Sequence, residues 1–186
     1  YNWSDEIIEI LASKFDRVVI SVDGHENTFK IIRGFDFSIM EENVRNLVKR
    51  RNELKRDHPF VIAQAVISEY NIDEIETLIP RLSSMGYMQI ILSNLLPQNE
   101  LDKDKILYKL YDNTRMKNYR NKWLNKAMSS KLQIKFPAIE LKTERKCRFV
   151  YDGTMTINSD GHIAPCYRFA HPSIEYVFGR RKQVYE

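Results

Sequence analysis

Cysteine is scarce in this chain: 186 residues hold only Cys147 and Cys166, and none precedes position 147. So sparse a pair is no disulfide framework. The opening Tyr1-Asn2-Trp3-Ser4-Asp5-Glu6 lacks the basic, apolar and small-residue order of a secretory signal, so a cytoplasmic protein is expected. No apolar run approaches the roughly 18 residues that span a bilayer, which argues against a membrane helix. No Gly/Ser linker or low-complexity tract divides the sequence. Charge of one sign is also missing, since 29 Lys and Arg against 25 Asp and Glu leave only +4. The basic groups at Lys49-Arg50-Arg51, Lys55-Arg56, Arg115 to Lys122 and Arg180-Arg181-Lys182 read as solvated faces with no matching row of stacking aromatics. Neither a nucleic-acid nor a membrane partner is expected.

What is present is enough apolar residue, 43% of the chain, for one sizeable core with a small appendage. From Ser4 to about Asn94, helix and strand patterns alternate. Ser4 caps a first helix with Ile7, Ile8, Ile10 and Leu11 on its inner side. Arg17 to Val22 is β-branched and nearly continuous in hydrophobicity, as a strand buried on both faces should be. A polar loop beyond Asp23-Gly24 leads to a helix near Ile39 to Leu54. Phe60 to Ile67 is the next strand, and Asn71-Ile72-Asp73-Glu74 reads as an N-cap with glutamate three residues on. The third helix carries Pro80 and stops at Gly86. Met88 to Asn94 is a third strand, a polar helix follows within Asp102 to Met128, and Leu132 to Phe136 is a fourth strand.

This order predicts right-handed βαβ units and a parallel sheet, open or closed into a barrel. Ligands of such sheets bind at the carboxyl ends of the strands. Those ends supply Ser21 and Asp23, Glu69 or Asn71, and Ser93 and Asn94, while Gln64 lies within its strand. Each also has a plain structural reading: a strand end, a turn, a surface ion pair for Arg33, a helix cap for Asn71.

Towards the end, Phe149-Val150-Tyr151 and Thr154 to Ile157 alternate around Asp152-Gly153, and Ser159-Asp160-Gly161 leads into His162-Ile163-Ala164. Two hairpins in succession are expected, bringing Cys147 near Cys166. The pair is open to several readings: unrelated buried thiols, a disulfide, a zinc site recruiting His162 or His171, or two ligands of an iron-sulfur cluster.

Cys147, thirteen residues, Gly161, four residues and Cys166 resemble the opening of the SPASM extension of radical S-adenosylmethionine (SAM) enzymes. Upstream, Ile20-Ser21-Val22-Asp23-Gly24 with Arg33-Gly34, and later Asn71-Ile72-Asp73-Glu74, resemble the second half of the radical SAM partial barrel. The resemblance implies the C-terminal portion of a partial (β/α)6 TIM-like barrel over residues 1–143 and a SPASM-type appendage over 144–186. It implies SAM contacts for Ser21, Arg33, Gln64 and Asn94, and an auxiliary [4Fe-4S] cluster held in part by Cys147 and Cys166. The family's CxxxCxxC motif, which holds the radical-generating [4Fe-4S] cluster, is absent, so the chain reads as an inactive fragment of a longer protein.

The implied parent cleaves SAM to a 5′-deoxyadenosyl radical and modifies a peptide or protein, with an electron-donor protein as its other partner. Ser93 to Pro97 and His171 to Gly179 resemble the maturases associated with tungsten-cofactor oxidoreductases. The alternative is a peptide-binding domain that kept the scaffold and lost the redox chemistry.

Overall fold

A computed structural model describes residues 2–96, 100–108, 113–138, 147–170, 173–177 and 180–184. Two compact units divide the chain, Tyr1–Asn94 with Thr114–Pro137, and Leu95–Asn113 with Ala138–Glu186. The expected boundary at 143/144 lies outside the described residues.

Helix α1 (Asp5–Lys14) starts where Ser4 Oγ accepts the Ile7 amide at 3.3 Å, with Asp5 and Glu6 in the electropositive first turn. It packs on α3 (Phe37–Glu53) through Ile8 and Ala12, an i, i+4 stripe. Ile7 and Ile10, expected inside, are 44% and 45% exposed because that stripe alone meets the neighbouring helix. The stretch after Asp23-Gly24, expected as a loop, contains a further helix, α2 (Glu26–Arg33). Its Phe29 is fully buried, with ring centroids 5.0 Å from Phe35 and 5.4 Å from Phe37, both edge-on. That single aromatic anchor overrides the polar composition around it.

Strands β1 (Arg17–Ser21), β2 (Phe60–Ile67), β3 (Gln89–Asn94) and β4 (Gln133–Lys135) form one parallel sheet in that order. The helices α2 and α3, then α4 (Ile75–Met85), then α5 (Thr114–Ser129) are the crossovers. Alternation splits β2. Val61, Ala63, Ala65 and Ile67 have no exposed surface, whereas on the other face Phe60 is 38% exposed, Gln64 and Val66 are part-exposed and only Ile62 is buried, at 7% exposure. One sheet face is therefore the core and the other is open within this unit. β1 corrects the expectation of two-sided burial: it is the edge strand, and Val19 on the open face is 52% exposed.

Helix α4 buries Ile75, Leu78, Ile79 and Leu82 completely, encloses Pro80 and ends at Gly86 with φ +95°. A Cβ there would also lie 2.9 Å from Val48, so only glycine suits the site. The helix is not capped by Asn71, as its pattern suggested; Glu74 occupies the N-cap position without a side-chain cap bond. α5 packs on α4 and buries Met116, Trp123 and Ala127.

In the second unit, residues 148–151 form a helical turn, α6 (Arg148–Tyr151), where a strand was expected. The Tyr151 amide donates to the Cys147 carbonyl at 3.0 Å, and Thr154 donates from N and Oγ1 to the Phe149 carbonyl, so the first expected hairpin is replaced by a capped turn. The second hairpin is present as β5 (Thr156–Ile157) against β6 (Ile163–Ala164). Asn158 Oδ1 accepts from the Asp160 and His162 amides at 2.9 Å each, and Gly161 has φ +84°. β7 (Ser173–Val177) and β8 (Arg180–Val184) form a further antiparallel pair.

Candidate functional site

The β1–β2 ladder ends in a substitution. The last main-chain rung runs from the Val22 amide to the Gln64 carbonyl at 2.8 Å. The next donor on β2, the Val66 amide, meets Asp23 Oδ1 at 2.7 Å, so a carboxylate stands where a strand carbonyl would. Asp23 is 1% exposed, and its Oδ2 accepts Arg33 Nε at 2.5 Å. Asn71, also 1% exposed, closes the arrangement. Its amide nitrogen donates to the carbonyls of Asp23 (2.6 Å) and Val66 (2.8 Å), and its Oδ1 accepts the Ser68 amide at 2.9 Å. Asp23 and Asn71 thus meet the rule that buried polar groups be hydrogen-bonded.

Gly24 lets α2 sit against α4. A Cβ on it would lie 2.6 Å from Glu74 Oε2, and that carboxylate accepts the His25 amide at 2.6 Å and Thr28 Oγ1 at 2.5 Å. Arg81 of α4 reaches Glu26 at 2.7 Å and Glu41 at 3.0 Å, with its guanidinium 4.1 Å from the Phe37 ring centroid. The Arg81 hydrogen bond drives the Glu26 carboxyl down to about 2. Burial pushes Glu41 up, but hydrogen bonds from Arg45 and Arg81 outweigh it and leave the group lowered. Thr28 and Arg81 escaped the sequence reading, and Glu74 was expected only as the glutamate following a helix cap. A usable signal was the helical spacing of Glu26, Phe29 and Arg33 ahead of Gly34, whose φ is +77°.

The expected ligand residues are placed as follows. Ser21 and Gln64 are register partners, with Ile91 and Lys135 continuing the same row, so Ser21 and Gln64 lie side by side on the open face. Ser93 shares that face, in register with Val66. Asn94 pairs with Ile67, on the alternate, core-facing set of positions. Arg33 closes α2 and is tied to Asp23 rather than to a surface carboxylate; its side chain is 31% exposed, and among the described residues its Nη groups have no bonding partner. A hydroxyl, a carboxamide and a guanidinium near one sheet edge suit a ligand with a sugar diol and a carboxylate.

In the second unit, Cys147 is exposed and Cys166 is 6% exposed, both as free thiols. No group of three or more His, Cys, Asp or Glu able to hold a metal occurs among the described residues. Two thiols do not complete a cluster's ligand set, and His171 lies outside the described residues. No helix among the described residues is long and apolar enough to cross a membrane.

No protein-family profile matches the chain. The chain nevertheless resembles known proteins in both sequence and fold. The tungsten-containing aldehyde ferredoxin oxidoreductase cofactor-modifying protein of Pyrococcus furiosus is 35% identical over 147 residues, 78% of this chain and 40% of that one. The chain thus spans 40% of the length of that relative. Among solved structures, Streptococcus suis SuiB bound to the precursor peptide SuiA matches with TM-score 0.55 over 89% of this chain and 40% of SuiB. SuiB bound to S-adenosylmethionine matches with TM-score 0.57 over 97% and 42%. At 15% identity these matches speak for the fold, an α/β partial barrel, as the sequence led one to expect.

Proposed function

We propose that this chain is the rear portion of a radical SAM enzyme that modifies a peptide or protein, a maturase in function, and that the open sheet face with its carboxyl edge forms part of the SAM site. The observation carrying the proposal is the adjacency of Ser21 and Gln64 on the open face, with the Arg33 guanidinium anchored on Asp23 two residues beyond Ser21. Ser21 and Gln64 suit hydrogen bonding to the ribose, Arg33 to the methionyl carboxylate, and Asn94 stands at the β3 end. Held there by Ser21, Gln64 and Arg33, SAM would supply one-electron radical chemistry for removing a hydrogen atom from the substrate, with the electron coming from a donor protein. This chain's part is to bind and orient SAM and to supply Cys147 and Cys166 as two thiolate ligands of an auxiliary [4Fe-4S] cluster. By itself it is inactive, because its sequence contains no CxxxCxxC.

The test is made in the full-length protein, reconstituted anaerobically with iron and sulfide. Ser21→Ala with Gln64→Ala should weaken SAM binding about tenfold or more. Cys147→Ser with Cys166→Ser should lower the iron content by a cluster's worth. Unchanged affinity would remove the site, and a colourless protein that still binds peptide would establish the cluster-free binding domain instead.

A further inference from the structure

We propose that Asp23 is a positioning residue for Arg33: its buried carboxylate fixes Nε so that both Nη groups form a preset fork for the carboxylate of the ligand at the sheet edge. This rests on the site reading above. Asp23 Oδ1 is locked by the Val66 amide at 2.7 Å, a donor belonging to the rigid β2 ladder, so the direction of Oδ2 is set by the sheet itself. Asn71 fixes the Asp23 main chain at 2.6 Å from the other side. Arg33 then spends Nε on Oδ2 at 2.5 Å, which leaves the four Nη hydrogens available among the described residues.

The other end of the Arg33 side chain is equally held. It leaves the last turn of α2, where the Gly34 amide closes on the Lys30 carbonyl at 2.9 Å and Phe29 is fully buried. A guanidinium restrained at backbone and at Nε forfeits little further freedom on binding, which is how preorganisation raises affinity. A purely structural role would need no more of Asp23 than the Val66 bond. A neutral acceptor supplies that equally well.

Asp23→Asn separates the two roles, because the amide keeps an oxygen for the Val66 amide and turns an N–H donor towards Arg33 Nε. SAM affinity is measured by titration calorimetry on the reconstituted full-length protein without reductant, alongside thermal midpoints, for Asp23→Asn, Arg33→Ala and the double variant. Each single change should weaken binding about tenfold, and the double should be no weaker than Arg33→Ala alone. A loss from Asp23→Asn that persists in the Arg33→Ala background overturns the proposal, as does unchanged affinity in Asp23→Asn where Arg33→Ala loses it. Unchanged affinity in Arg33→Ala itself refutes the placement of Arg33 in the SAM site and removes the proposal with it. Arg33→Lys keeps the pair with Asp23 but has no fork, so it checks the same point even where Asp23→Asn does not fold. It should lose as much affinity as Arg33→Ala, and wild-type affinity overturns the fork.

Discussion

Asn71→Asp distinguishes the two readings of Asn71 in a single measurement. As a helix N-cap, Asp ranks with Asn, and the change would be close to neutral. In the structure the side-chain nitrogen donates to two carbonyls, at 2.6 Å to Asp23 and 2.8 Å to Val66, at a residue 1% exposed. Aspartate removes both donors, sets a carboxylate against two carbonyl oxygens and buries an unpaired charge. Each buried acceptor left without its donor costs about 1–3 kcal/mol, so the expected destabilisation is about 3–5 kcal/mol. Equilibrium urea unfolding of the full-length protein, with the slope compared between variants, gives the number. Asn71→Ala, which loses the same donors and the acceptor for Ser68 without adding charge, should fall in the lower part of that range. A change below about 1 kcal/mol for Asn71→Asp refutes the double donation to Asp23 and Val66 and restores the cap.

Gly24→Ala should cost about 1–3 kcal/mol, since the new methyl meets Glu74 Oε2 at 2.6 Å and Thr28 Cβ at 2.9 Å; thermal melts decide, and a neutral result would mean that α2 shifts freely. Glu26 sits well below the ordinary carboxylate value of 4.5, at about 2, so its contribution is complete above pH 4.5 and is lost as pH falls towards 2. With its side chain 60% exposed the pair is worth under about 1 kcal/mol, and Glu26→Gln should flatten the acid limb of the stability profile by no more than that. Burial raises the Tyr87 phenol far above its ordinary value of 10.0, so the unfolded chain releases this proton first and stability declines as pH passes that value. Tyr87→Phe should make the alkaline decline shallower; an unaltered slope counts against burial of the phenol.

Much of the sheet was legible because strand patterning is local. Phe60 to Ile67 and Met88 to Asn94 matched their strands to within a residue, and Gly86 marked the end of α4 because a left-handed residue packed against Val48 admits only glycine. β1 misled because β-branched continuity reports propensity, whereas burial depends on a neighbour, and the sheet places this strand at its edge. Residues 148–151 misled likewise: their alternation suits a strand, but bonds reaching only four and five residues along the chain, from Tyr151 to Cys147 and from Thr154 to Phe149, wind them into a helical turn.

The site was legible in its parts and hidden in its connections. Asp23-Gly24 reads as an ordinary turn, yet Asp23 is bonded to residues 43 and 48 positions away and Gly24 borders a carboxylate 50 positions on. Those pairings exist only once β1 and β2 are in parallel register, with Ser21 opposite Gln64, and that register joins residues far apart in the chain. Gln64 is the exception. A carboxamide in an otherwise apolar strand is costly to bury without partners, so its presence marks the face that the strand keeps for something other than core. The same reasoning explains why Asp23 and Asn71 tolerate 1% exposure: where the ladder stops, the Asn71 amide satisfies the Asp23 carbonyl, and the Val66 amide and Arg33 satisfy the Asp23 carboxylate.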